Sequence, residues 1–331
     1  MLGSTLSSTG APIMFDLTAL EDAARLVHAA MLPTPQLAWP LLAARAGCEV
    51  WVKHENHTPI GAYKARNGLV FIDALRRRRP DIRGVVTATR GNHGQSLPFA
   101  ARGTGLAVTV VVPQGNSVEK NAAMRAFGAE LVEHGRDFDE AYGHARHLAG
   151  ERGLEMAPAF HPDLMRGAAT YALELFRAVA DLDTVYVPIG MGSGISGLIR
   201  TRDLLGLKTR IVGVVSTEAP AMALSVEAGR VVTTETAQTF ADGMACRVPD
   251  PEALAIIRAG AERIVRVTDD EVATALRAYW TDTHNLAEGA GAAGLAALLQ
   301  ERDRMRGRRV GLILTGGNID LAVARRVLAE G

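Results

Sequence analysis

Four short stretches carry residue types that could do chemistry together. The first runs from Lys53 to Gly68 and places Lys64 at the mouth of a predicted helix bearing Leu69, Val70, Ile72 and Leu75, just after the turn signal Thr58-Pro59 and Gly61. A lysine there is ordinarily a solvated surface charge. Three glycine- or asparagine-bearing turns change that reading, because each follows an apolar strand-like run. Ala88-Thr89-Arg90-Gly91-Asn92-His93-Gly94 lets backbone N–H groups approach an anion at a helix N-terminus, and Asn92 adds an amide that can donate to a phenolate or carboxylate. Gly190-Met191-Gly192-Ser193-Gly194-Ile195-Ser196-Gly197 has four glycines in eight residues, the pattern of a phosphate cradle. Thr315-Gly316-Gly317-Asn318 offers a neutral hydroxyl at a strand end; the plain structural alternative is that Asn318 merely caps the last helix. An amine, an anion turn, a phosphate cradle and a hydroxyl describe one cofactor site. A dinucleotide site would share the glycine loop, but its acidic residue at the end of the next strand is missing; Val215-Ser216-Thr217 stands there, with Glu218 just beyond.

The elements that must position these turns alternate along the chain. Strands are predicted at 84–88, 107–112, 129–133, 184–189, 210–215 and 310–314. Helices are predicted near 17–31, 93–102, 118–127, 138–152, 168–179 and 320–328. A capping box, Thr268 with Glu271, opens a further helix toward Trp280. This alternation predicts an α/β fold with parallel sheets covered by helices, and such sheets bind ligands beyond the carboxyl ends of their strands. Residues 1–13 read as a loose tail.

Lys+Arg and Asp+Glu both number 36, so no net charge favours a nucleic acid or a membrane surface. The run Arg76–Arg79 reads as the solvated end of a helix. Two cysteines, Cys48 and Cys246, cannot build a disulfide framework or a zinc cluster, which fits a reducing cytoplasm. The N-terminus lacks a basic region followed by an apolar core, so no signal peptide is expected, and no stretch is apolar enough to span a membrane.

Taken in order and spacing from Thr34-Pro35 to Asp320, the four turns resemble the fold-type II pyridoxal phosphate enzymes, and more closely the threonine/serine dehydratase branch. The resemblance implies a two-domain, tryptophan synthase β-like architecture. Residues 1–66 and 152–331 would form a large cofactor-binding domain, and 67–151 a smaller mobile domain carrying the substrate-carboxylate turn. It implies pyridoxal 5'-phosphate as cofactor. Ala62-Tyr63-Lys64-Ala65-Arg66-Asn67-Gly68 matches the family's lysine motif, so Lys64 would form the Schiff base and serve as the catalytic base. Asn92 would bond the cofactor's 3-hydroxyl, and Gly190, Met191, Gly192, Ser193 and Gly194 would hold its phosphate. Met191 and Ser193 replace the usual glycines there, which backbone donors tolerate if φ stays negative. Thr315 would stand beside the pyridine nitrogen and Glu288 near the ring. Thr89, Arg90, Gly91, Asn92 and His93 would bind the substrate amino acid.

The activity implied is removal of a β-hydroxyl from a threonine- or serine-like amino acid, or a hydroxyaspartate, to give a 2-oxo acid and ammonia. The partners implied are the substrate and a second copy of the chain in a cytoplasmic homodimer. The chain ends soon after Asp320, leaving no room for the regulatory domain of the biosynthetic threonine enzymes, so a catabolic role is expected. The alternatives are a racemase of the same fold, a β-replacement enzyme such as a cysteine synthase, and a non-catalytic nucleotide-binding module. No metal is expected, since the positions matching the family's cation ligands are Val215 and Ala221. Arg90 replaces the serine that racemases of the family use as a second acid/base. A guanidinium cannot give up a proton at working pH, so elimination without racemisation is expected.

Overall fold

The computed structural model describes residues 15–329, so the tail expected at 1–13 lies outside the described residues. Ten strands form two sheets: β1 (Gln36–Ala38), β2 (Glu49–His54), β3 (Gly84–Ala88), β4 (Ala107–Val112), β5 (Glu130–Glu133), β6 (Glu155–Met156), β7 (Thr184–Pro188), β8 (Arg210–Ser216), β9 (Arg263–Val267) and β10 (Arg309–Leu314). The larger sheet has the order β1-β2-β10-β7-β8-β9 and the smaller β5-β4-β3-β6. All pairs are parallel except β1 with β2. Every residue of β3 and of β7 is buried, as expected of short apolar strands covered on both faces.

The predicted strands and most predicted helices stand within a residue or two of their expected ends. One helix differs. It runs from Pro162 to Ala178, starting six residues before the expected Ala168, because proline suits the first helical position and His161 Nδ1 accepts the N–H of Asp163 at 3.1 Å. The short antiparallel edge strand β1 and strand β9 were not foreseen. The capping box at Thr268 and Glu271 is present on the Asp269–Thr283 helix. Helix Gly289–Gln300, rich in glycine and alanine, lies close across β7 to β10 because it has few large side chains to hold it off. The Arg76–Arg79 run is exposed at the end of helix Lys64–Arg78.

Parallel pairing points the carboxyl ends of β2, β10 and β7 the same way, and β3 ends facing them across the gap between the sheets. The turns after these four strands are 55–63, 315–320, 189–192 and 89–91.

Candidate active site

Lys64 is positioned from both sides. The loop before it is closed by Thr58, whose hydroxyl accepts the N–H of Ala62 at 2.9 Å and donates to its carbonyl at 2.7 Å. Tyr63 N–H donates to the carbonyl of Thr315 at 3.0 Å, which sets Lys64 beside the end of β10. The helical turn that Lys64 opens is then clamped. A Cβ on Gly68 would lie 2.4 Å from the Ser96 carbonyl oxygen, and one on Gly167 would lie 2.4 Å from that of Arg66. Helices 92–101 and 162–178 therefore press on the same turn from different sides.

Beneath this turn is a buried ion network. Arg66, fully buried, forks to Glu55 at 2.7 and 3.0 Å and to Glu174 at 2.6 and 2.9 Å. Lys53 Nζ donates to Glu174 at 2.5 Å and to the Thr34 carbonyl at 2.7 Å. Two cations and two carboxylates balance, as buried charges must. Burial pushes the Glu174 carboxyl up, but hydrogen bonds and charge from Arg66 and Lys53 outweigh it and hold the pKa down to about 2.

The glycine turn after β7 forms a cradle. A Cβ on Gly190 would lie 2.3 Å from the Gly243 carbonyl oxygen, and Gly192 adopts φ +101°, which L side chains rarely do. Met191 and Ser193 both keep φ out of the left-handed region, so their departure from glycine costs the backbone nothing. Helix Ser193–Leu204 begins here, with the N–H groups of its first turn unpaired by helix geometry. Three groups converge on Ser193 Oγ: Lys64 Nζ at 3.3 Å, Asn67 Nδ2 at 3.2 Å and Tyr63 Oη at 3.4 Å. Lys64 has no carboxylate within ion-pairing distance among the described residues. An ammonium at the positive end of a helix, without a counter-ion, is a site built for a bound anion.

The turn after β3 supplies the facing wall. Thr89 and His93 are buried, Gly91 N–H bonds Thr89 Oγ1 at 3.2 Å, and Asn92 opens helix Asn92–Ala101. Asn92 Nδ2 donates to both oxygens of Glu288, at 2.8 and 3.1 Å, and Asn92 Oδ1 accepts from Asn318 Nδ2 at 2.8 Å. Burial, then the charge of Asp242, pushes the Glu288 carboxyl up to about 7, against the opposing pull of Lys120 and Asn92. Neither ring nitrogen of His93 makes a hydrogen bond of good geometry among the described residues, although the backbone of Ala157 lies near enough to favour its protonated form weakly. Burial and the nearby Lys64 charge push its pKa down to about 3, so the imidazole is neutral. Arg90 is exposed and makes no hydrogen bond or ion pair among the described residues. Val215 and Ala221 are buried and apolar.

Lys64, the Gly190–Gly194 cradle and Thr315 are thus brought together, and Glu288 meets Asn92 across the gap between the sheets. Sequence reasoning missed Tyr63, Asn67, Lys120 and Asp242. Lys120 packs against Gly91 and pairs with Asp242, a contact 122 residues apart that no local pattern could signal. Asn318 does not cap the last helix. Helix Leu321–Ala329 begins three residues later, and the Asn318 side chain turns inward to Asn92 and the Ile60 carbonyl instead of capping it.

Fold and site define an α/β protein of two helix-covered sheets with a lysine set at an anion cradle between them. A family model described as pyridoxal-phosphate dependent enzyme matches residues 27–316, and the chain belongs to that family. It is 36% identical over 288 residues to the L-threonine ammonia-lyase of Geobacter sulfurreducens, spanning 87% of this chain and 71% of that one. It is 32% identical over 292 residues to the L-threo-3-hydroxyaspartate ammonia-lyase of a Pseudomonas species, spanning 87% and 90%. The crystal structure of a pyridoxal 5'-phosphate-dependent aspartate racemase aligns with a TM-score of 0.88 at 27% identity, covering 93% of this chain and 97% of that one. The residues present fit the cofactor. The cradle suits a phosphate, the unpaired Lys64 amine suits a carbonyl, and the His93 nitrogens, without a well-formed hydrogen bond, leave polar capacity for a ligand.

Proposed function

We propose that this protein eliminates the β-hydroxyl of a threonine- or serine-type amino acid, or of a hydroxyaspartate, releasing a 2-oxo acid and ammonia. The observation that carries the reading is Lys64 Nζ, without a counter-ion, 3.3 Å from Ser193 at the N-terminus of a twelve-residue helix. Pyridoxal phosphate, when bound, supplies an electron sink that makes the amino acid's Cα–H acidic.

The chain's own residues do the rest. Lys64 would hold the cofactor covalently and serve as the base that takes the Cα proton. Gly190, Met191, Gly192, Ser193 and Gly194 would hold the phosphate through backbone N–H groups and the Ser193 hydroxyl, with Asn67 alongside. The Thr89–His93 turn receives the α-carboxylate at the N-terminus of helix 92–101. Neutral His93 adds no charge there. Thr315 would offer the ring nitrogen a neutral hydroxyl, which would leave that nitrogen unprotonated more readily than a carboxylate would. Asn92 would bond the cofactor's 3-hydroxyl, with Glu288, to which it donates, near the ring. The exposed guanidinium of Arg90 is a fixed cation able to grip a carboxylate with two bonds, and it cannot act as the second proton shuttle that racemisation needs. The same reading takes the enzyme to be a cytoplasmic homodimer independent of a metal. Among the described residues no helix is long and apolar enough to cross a membrane.

Replacing Lys64 tests the assignment. Lys64→Ala should lose turnover and the borohydride-stable pyridoxyl label while keeping the far-UV circular dichroism of the wild type. Normal turnover with the label on another lysine would refute it.

A further inference from the structure

The cofactor-facing wall depends on which way one amide points. Asn92 can present either its nitrogen or its oxygen toward Glu288, because the two ends of an amide have nearly the same shape and a Glu288 carboxyl raised to about 7 can accept or, protonated, donate. Asn318 decides between them. Its Nδ2 donates to the backbone carbonyl of Ile60 at 2.8 Å and to Asn92 Oδ1 at 2.8 Å, which uses both of its N–H bonds. A backbone carbonyl cannot turn over, so Ile60 fixes the polarity of Asn318, and Asn318 fixes that of Asn92. A reversed Asn92 would set nitrogen against nitrogen at Asn318 and oxygen against carboxylate at Glu288.

Two glycines make room for this chain of bonds. A Cβ on Gly61, which has φ +70°, would lie 2.5 Å from Asn318 Oδ1, and one on Gly316 would lie 2.6 Å from Glu288 Oε1. The backbone N–H of Asn318 also acts on the Glu288 carboxylate and opposes its raised pKa. One residue therefore joins the loop before Lys64, the turn after β10 and the turn after β3.

We propose that Asn318 is a positioning residue that turns the Asn92 amide nitrogen toward Glu288 and the cofactor ring. The inference rests on the functional reading above, through the place that reading gives the cofactor. The Asn318 side chain acts through Asn92, and its effect is that an oxygen on the ring would meet an N–H donor and not a carbonyl.

Two substitutions separate this from a packing role. Asn318→Asp keeps the shape but replaces the donor with an acceptor, which repels both Ile60 O and Asn92 Oδ1 and reverses Asn92. Asn318→Ala removes the donor and leaves a small cavity. A packing role makes alanine the worse change; a polarity role makes aspartate the worse. The measurement is the visible absorbance maximum and the dissociation constant of pyridoxal phosphate for each purified protein, with melting curves of the cofactor-free forms. The expected result is a shifted maximum and about tenfold weaker cofactor binding in N318D than in N318A, the size of one buried hydrogen bond, with similar melting temperatures. Equal spectra, or N318A weaker than N318D, would overturn the proposal. Should N318D not fold, N318A carries the test: a freed Asn92 populates both orientations and its band shifts with pH, whereas a wild-type band overturns the proposal. Failure of the wild-type protein to bind pyridoxal phosphate strikes the functional reading itself, and is told apart from an unshifted N318D beside a loaded wild type.

Discussion

Residue types at this site divide by whether their charge is needed or must be avoided. Lys64 works as an amine near an anion cradle, and His93 stays neutral because burial and Lys64 both oppose a second cation. Arg90 is exposed within the Thr89–His93 turn. Arg90→Ala should raise KM for the amino acid about tenfold with a smaller change in kcat, as expected for one lost charge-assisted contact. Steady-state kinetics check this, and an unchanged KM would return Arg90 to the role of a surface charge. Lys64 and the glycine cradle were legible in the sequence because each lies in a contiguous motif after an apolar strand. The bridge made by Asn318 was not legible, because a side chain's partner is not written beside it. Both of its roles, cap or bridge, start from the same Gly-Gly-Asn.

Elements here act as clamps and plinths for single residues. The turn at Lys64 is pressed by Ser96 and Gly167 and carried on Arg66, Glu55, Glu174 and Lys53. Gly167→Ala inserts a methyl against the Arg66 carbonyl and should cost about 1–3 kcal/mol of stability by overpacking. It should lower activity as well, because the displaced turn is the one bearing Lys64; thermal melting with activity at equal cofactor loading measures both.

The ion network gives a pH signature. Glu174 has a folded pKa of about 2, below its unfolded value near 4.5, so its contribution is fully present above pH ~4.5 and is lost as pH falls toward 2. Glu174→Gln leaves Arg66 and Lys53 with one carboxylate between them and should cost about 3–5 kcal/mol at pH 7. The gap from the wild type should close as pH approaches 2, which denaturant titrations across pH can follow. Strands and long helices were readable from periodicity, since parallel strands buried on both faces are continuous apolar runs. The network was not, because Lys53, Glu55, Arg66 and Glu174 look like ordinary surface charges until the fold buries them.

At the scale of the molecule, the site exists only where the two sheets meet. Helix Val118–Ala126 crosses the gap with its first turn. Ser117 donates to Asp320 at 2.6 Å, Glu119 accepts the N–H of Leu321 at 2.9 Å, and Lys120 pairs with Asp242. Further along, Arg247 meets Asp139 at 2.9 Å. These contacts join the two sheets' sides of the gap around the Thr89–His93 turn, an arrangement that would suit keeping water from the reacting carbon under the proposed function. The alternation of strands and helices made the α/β class legible, but not these crossings, which join residues more than a hundred positions apart.

The central claim is that this assembly expels a β-hydroxyl and does not merely exchange the Cα proton. It is tested most directly by incubating the cofactor-loaded protein with L-threonine, L-serine and L-threo-3-hydroxyaspartate in heavy water. The 2-oxo acid formed and the chirality of the unreacted amino acid are measured together. The account predicts 2-oxo acid and ammonia in equal amounts from at least one of the three, with the residual substrate still L. Abundant D-amino acid, or no 2-oxo acid from any of them, would contradict it.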